Sequence, residues 1–172
     1  MKIKKQFLKL EEDLSEINIG LIRLIKSIPE HEFFFLLNKI NDFNFKRIDD
    51  IVISGEYFDH FFSRYQAYDK FSKNCYSFIS NKSIQKKKKK AQNQLFLDES
   101  NIKFLLNLHQ DADYILTNSD MFADFSLILL PENLVFQIQE YLLSSDEELY
   151  QLIQYYEQEP NKNKNNNNTT PR

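Results

Sequence analysis

Apolar residues occur along the chain in short blocks divided by polar or turn-forming stretches, and the spacing inside each block predicts its element. Residues 3–10 predict a short strand, followed by a turn at Glu11, Glu12 and Asp13. Residues 17–26 are apolar and β-branched, which predicts a second strand. Ser27, Pro29 and Glu30 then form a helix start. Ser27 is placed to cap free amides, Pro29 falls in the first turn where no amide is needed, and Glu30 completes a capping box. The predicted helix runs over 28–40 and buries Phe33, Phe34, Leu37 and Ile40.

Residues 56–68 fit two patterns. Apolar residues at 57, 58, 61, 62, 65 and 68 follow a helical period, whereas the abundance of Tyr and Phe favours a strand. The strand is preferred here. Residues 74–80 predict another strand, and 102–108 and 113–117 two short ones around His109, Gln110 and Asp111. Residues 125–130 and 134–143 predict a hairpin turning at Pro131, Glu132 and Asn133, with Leu134, Phe136, Ile138 and Leu142 on one face. Ser145 followed by Glu148 predicts a second capping box. Leu149, Leu152, Ile153 and Tyr156 recur at helical spacing behind it. The result is an α+β fold: a single domain over 1–157, a mostly antiparallel sheet, a helix near 28–40 and a C-terminal helix near 146–157. Residues 81–94 read as a basic mobile loop, and 158–172 as a disordered tail rich in Asn and Lys.

Composition narrows the function classes. The chain has 172 residues, with two Gly (Gly20 and Gly55) and one Cys (Cys75). No glycine-rich phosphate loop, Cys-based zinc site or disulfide framework is compatible with those counts. Phe, Tyr, Ile, Asn and Lys are abundant, and Lys outnumbers Arg 18 to 4. An AT-rich genome is the simplest source of that skew, which lowers the weight of any lysine run. No apolar run approaches the ~20 residues of a membrane helix, and the free Cys75 suits a reducing compartment. These features predict a cytoplasmic protein with no membrane contact.

The net charge of −3 conceals a split. Residues 1–103 carry +5, whereas residues 104–161 carry −11 and contain neither Lys nor Arg. Such a segment is either neutralised inside the fold or offered to a basic partner. Asp111, Asp113, Tyr114, Asp120 and Asp124 are the candidate partner-binding residues. The opposite signal is Lys82 with Lys86, Lys87, Lys88, Lys89 and Lys90, a basic stretch able to bind phosphates. Tyr65, Tyr68, Phe71, Tyr76 and Phe78 lie near it in sequence and are of a type that stacks on bases.

Catalytic signals are weak. His31, His60 and His109 have no partner His at helical zinc spacing. Cys75 sits within a predicted strand, where a buried structural thiol is the ordinary outcome, and no Ser lies in a nucleophile elbow. Carboxylate pairs such as Asp49 with Asp50, or Asp120 with Asp124, are ordinary surface acids. No catalytic residue, cofactor or metal ligand is assigned.

Several short stretches resemble the IPExxxVDY family of Bacteroidota. They are residues 36–41 with 43–47, residues 78–83, and residues 104–106 followed by 112–116. Asp113 and Tyr114 stand at the last two positions of the family motif, and Ala112 replaces its Val. Leu106, Asn107 and Leu108 stand where Ile-Pro-Glu belongs. The resemblance implies a small cytoplasmic α+β protein with no assigned activity, supports strands flanking 81–83, and carries over no catalytic residue. The 58 residues without Lys or Arg and the lack of a catalytic constellation predict a non-enzymatic binding or adaptor protein that docks a basic protein partner through its acidic C-terminal half. The alternative is an RNA-associated protein using the lysines of 82–90.

Overall fold

A computed structural model describes residues 16–87, 102–119 and 124–158. The strand expected at 3–10, loop residues 88–94, Asp120 and the tail beyond 158 lie outside those residues. The elements are β1 (Ile17–Ile22), α1 (Glu30–Ile40), β2 (Lys46–Ser54), β3 (Phe58–Tyr68), β4 (Cys75–Ser80), β5 (Ile84–Lys87), β6 (Tyr114–Asn118), β7 (Gln139–Leu143) and α2 (Glu148–Gln158). Every strand pairing among the described residues is antiparallel, in the order β2-β3-β4-β6-β1-β7. β5 continues the line of β4 along β3, so β4 and β5 amount to one strand interrupted at 81–83.

The sheet is covered on both faces, which explains the mixed pattern of β3. Side chains alternate across a strand, so Ala67 joins the core beneath α1 while Phe62 joins the core beneath α2. The first core is aromatic. Phe34 stacks on Tyr65 with centroids 3.6 Å apart, Phe33 stacks on Tyr114 at 5.2 Å, and Phe78 meets Phe33, Phe34 and Phe45 edge-on. The second is mainly aliphatic: Ile19, Leu21, Ile51, Ile79, Ile115 and Leu143 pack with Phe62 against Leu149 and Ile153 of α2.

The α+β expectation and both helices hold, with local corrections. α1 begins at Glu30 with Pro29 as its unbonded cap, so Ser27 does not cap it. Glu30 turns instead to the Ser63 and Tyr65 hydroxyls and to Arg47. Ile40 lies at the open end of the helix and is 40% exposed. The second capping box sits one residue earlier than expected. The Ser144 amide donates to the Glu147 carboxylate at 3.2 Å, and the Ser144 hydroxyl accepts from the Asp146 amide at 3.4 Å. Residues 102–108 form no strand; Asn107–His109 is a 3₁₀ turn and Phe104 only bridges Lys82. Residues 84–87, expected within a mobile loop, form β5. The hairpin over 125–143 is absent. Phe125–Leu127 is a 3₁₀ turn held by the Asp124 carboxylate, which accepts from the Ser126 amide, and β7 pairs with β1. Leu134 is buried from its expected face, whereas Phe136 and Leu142 are exposed.

Candidate partner-binding surface

The acidic segment faces outward. Asp111, Asp113, Asp124, Glu132, Glu140, Asp146, Glu148 and Glu157 are all exposed. One ion pair ties this segment to the rest of the chain among the described residues, Arg23 to Asp111, and it holds the Asp111 carboxyl below the usual carboxylate range. Three of the candidate residues carry local duties. Asp111 pairs with Arg23, the Asp113 carboxylate accepts from the Leu24 amide at 2.6 Å, and Asp124 accepts from the Ser126 amide and hydroxyl, which lowers its own carboxyl. Tyr114 is a correction: it is only 5% exposed, stacked in the aromatic core, and therefore no contact for a partner. Burial pushes its phenol well above the ordinary range, with Glu30 and Asp113 adding to the effect.

The two edges of the sheet are finished differently. An edge strand exposes unpaired backbone groups that invite another strand, and proteins usually blunt it with a bulge, Lys, Pro or a cover. β2 is blunted twice. Its register with β3 slips between Ile48 and Ile51, and the Val52 amide donates to the Tyr156 hydroxyl of α2 at 3.0 Å. β7 has neither device. Its five residues pair with β1 in unbroken register from Ile17–Leu143 to Leu21–Gln139. Among the described residues it pairs with nothing on its other side. It contains no Lys and no Pro, and Leu142 is 62% exposed. Glu140 is exposed beside it, accepting from the Asn18 amide group at 2.8 Å. Phe136, just before β7, is 54% exposed. This edge is not legible in the sequence, because strand order is invisible in a local pattern.

The basic stretch is less free than its sequence suggests. Lys86 lies on β5 opposite Asp59, and its ammonium sits 4.5 Å from the Phe61 ring centroid. Lys82 is exposed; Lys87 lies at the end of β5, and Lys88, Lys89 and Lys90 are outside the described residues. Of the aromatics expected beside it, Tyr76 and Phe78 are fully buried and Tyr65 is stacked on Phe34. Only Tyr68 and Phe71 are exposed.

Asn81 is a structural residue that sequence reading missed. It is fully buried in the break between β4 and β5. Its amide donates to the carbonyls of His109 and Ala112 at 2.8 and 3.0 Å, and its oxygen accepts from the Leu106 amide at 2.8 Å. One side chain thus braces the whole 105–113 connection. Among the described residues no group of three or more His, Cys, Asp or Glu converges as a metal site, and no helix is long and apolar enough to cross a membrane. No protein-family model, curated protein or solved structure matches the chain.

Proposed function

We propose that this is a non-enzymatic cytoplasmic binding protein that docks a basic, extended segment of a protein partner along the β7 edge. The observation that carries the reading is that edge: five residues in clean register, with no bulge or tether among the described residues, set in a stretch of 58 residues without Lys or Arg. A partner strand added there gains backbone hydrogen bonds from the edge and charge complementarity from Glu140 and the acids around it. Phe136 and Leu142 supply apolar contacts for alternate side chains. The RNA alternative draws less support, since Lys86 is turned onto Phe61 and the buried aromatics cannot stack on bases.

The test is fluorescence anisotropy with a synthetic peptide alternating Lys and Val, compared with one alternating Glu and Val. The Lys peptide should bind, and binding should weaken as salt rises. The double substitution Glu140→Lys, Leu142→Lys should abolish it. Equal binding of the Glu peptide, or unchanged binding by the double variant, would overturn the reading.

A further inference from the structure

A second feature lies on the α2 face of the sheet, away from β7. α2 covers only part of that face, and beside it opens a cleft of about 550 Å³, within the range that holds small organic ligands. Its floor follows from the strand register. Gln66 of β3 stands beside Ser77 of β4, and Ser77 beside Thr117 of β6, so one polar row crosses three strands. Gln66 donates to the Ser77 hydroxyl at 3.3 Å, and Thr117 is 4% exposed. The neighbouring row is Arg64, Ile79 and Ile115. Gln66 and Ser77 are half-buried, so this polar row meets the part of the face that α2 leaves open.

Arg64 is the unusual member. It is 8% exposed and lines the cleft. Among the described residues, no hydrogen bond or carboxylate within 4 Å holds its guanidinium. Its close partner is the Tyr156 ring, 5.1 Å from the guanidinium carbon. Tyr156 is itself pinned, because its hydroxyl accepts from the Val52 amide. The guanidinium is therefore held by a ring rather than by an acceptor, and its N–H donors have no protein partner among the described residues. Burial pushes it below its ordinary range, with Tyr156 and the carboxylates of Asp49, Glu157 and Asp50 offsetting part of that.

The remaining lining constrains the ligand. Ile48, Ile51, Ile79 and Ile153 supply aliphatic surface, and Asp49 and Glu157 supply two carboxylates. Glu157 also lies in the last turn of α2, the negative end of the helix. One buried cation, two acids and a negative helix end do not suit a multiply charged phosphate. They suit a molecule carrying one carboxylate, one ammonium and an aliphatic body. A planar guanidinium fork matches a carboxylate in two-point contact.

We propose that this cleft binds a small aliphatic amino carboxylate, an amino acid or short peptide, with Arg64 taking its carboxylate and Asp49 and Glu157 facing its ammonium. The site is independent of the β7 edge, so either proposal can fail alone. The test is an NMR titration of the full chain, following the amides of Gln66, Ser77 and Thr117. The probes are leucine, leucyl-leucine, 4-methylpentanoate, 3-methylbutylamine and inorganic phosphate. Leucine or leucyl-leucine should give saturable shifts, and the stronger of the two identifies the source. The compounds lacking either charge, and phosphate, should bind at least tenfold more weakly. Arg64→Met should keep the fold, with an unfolding midpoint equal to or above that of the wild type, and should lose binding at least tenfold. If Arg64→Met does not fold, Arg64→Lys, which keeps the charge and loses the fork, should show the same weakening. Absence of saturable shifts with both amino carboxylates, equal binding of phosphate or of a singly charged compound, or unchanged binding by the Arg64 variant would overturn the proposal.

Discussion

Replacing Asn81 by Ala should remove a large share of the stability of the domain. The cost can be worked out from the bonds. The His109 carbonyl also accepts from the Ala112 amide at 3.1 Å, so it keeps a partner when the Asn81 side chain is gone. The Leu106 amide and the Ala112 carbonyl are bonded to that side chain in buried surroundings and would be orphaned. An unsatisfied buried group costs about 1–3 kcal/mol. Two of them give about 2–6 kcal/mol, against a typical domain stability of roughly 5–15 kcal/mol. The assay is urea unfolding followed by circular dichroism, comparing midpoints at constant slope. Asn81→Asp separates hydrogen bonding from volume. Its carboxylate still accepts from Leu106 but turns an oxygen towards two carbonyls, so the protonated form is favoured in the fold. A folded pKa raised above the unfolded value of about 3.9 means that stability falls as pH rises above that value. Asn81→Asp should therefore be less stable than Asn81→Ala at pH 7 and regain ground towards pH 4. A loss below about 1 kcal/mol for Asn81→Ala, smaller than one orphaned group costs, or no pH dependence for Asn81→Asp, would refute the bracing role.

Three further outcomes are expected. A Cβ on Gly20 would sit 2.9 Å from Cγ2 of Ile138, 3.4 Å from the Leu116 Cβ and 3.5 Å from a Phe125 ring carbon. Gly20→Ala should thus cost about 1–3 kcal/mol, and a double-mutant cycle with Ile138→Ala should show favourable coupling in urea unfolding; simple additivity would contradict the clash. Burial pushes the Cys75 thiol up, with Glu157 adding to the effect and Arg64 opposing it. Its alkylation by iodoacetamide at pH 7.5 should be slower than that of glutathione until urea unfolds the chain, and stability should fall as pH rises above about 8.5; a rate matching glutathione in the folded state would contradict this. Glu30 accepts from Ser63, Arg47 and Tyr65 in the first turn of α1, so Glu30→Gln should lower stability by about 1–2 kcal/mol, and an unchanged midpoint would show those contacts to be idle.

The elements that were legible in the sequence are those fixed by local pattern. β3 reads as a strand from its aromatic residues, although burial on both faces hides the alternation. Both helices read from their apolar spacing. The box at α2 was displaced because Ser144 and Ser145 are adjacent, as are Glu147 and Glu148, so two overlapping boxes compete. Residues 125–130 misled for a different reason. Their apolar pattern suits a strand, yet an Asn41 side chain takes the place of a partner strand. Its oxygen accepts from the Leu129 amide and its amide donates to the Leu129 carbonyl, both at 2.9 Å. Asn81 and Arg64 act across long sequence separations. In the sequence Asn81 is one Asn among 17; what distinguishes it is the strand break it occupies. Asp113 and Tyr114, which carry part of the family resemblance, serve the fold: Asp113 bonds to Leu24, and Tyr114 fills the aromatic core.

Arginine usage joins composition to the cleft. Lys outnumbers Arg 18 to 4 in the chain, and three of the four Arg lie in the described residues. Arg23 and Arg47 form the ion pairs there, with Asp111, Glu30 and Asp50, and no Lys forms one. A planar fork that binds carboxylates at two points is something Lys cannot supply. Among the described arginines, then, the guanidinium meets a carboxylate within 4 Å except at Arg64. That residue is the most buried of the three and has the Tyr156 ring where the others have an acid. If Arg64 served packing alone, Met or Leu would do so without the desolvation cost of a buried charge. The carboxylate that completes the pattern is then expected to come from outside the chain, into the cleft that Arg64 lines.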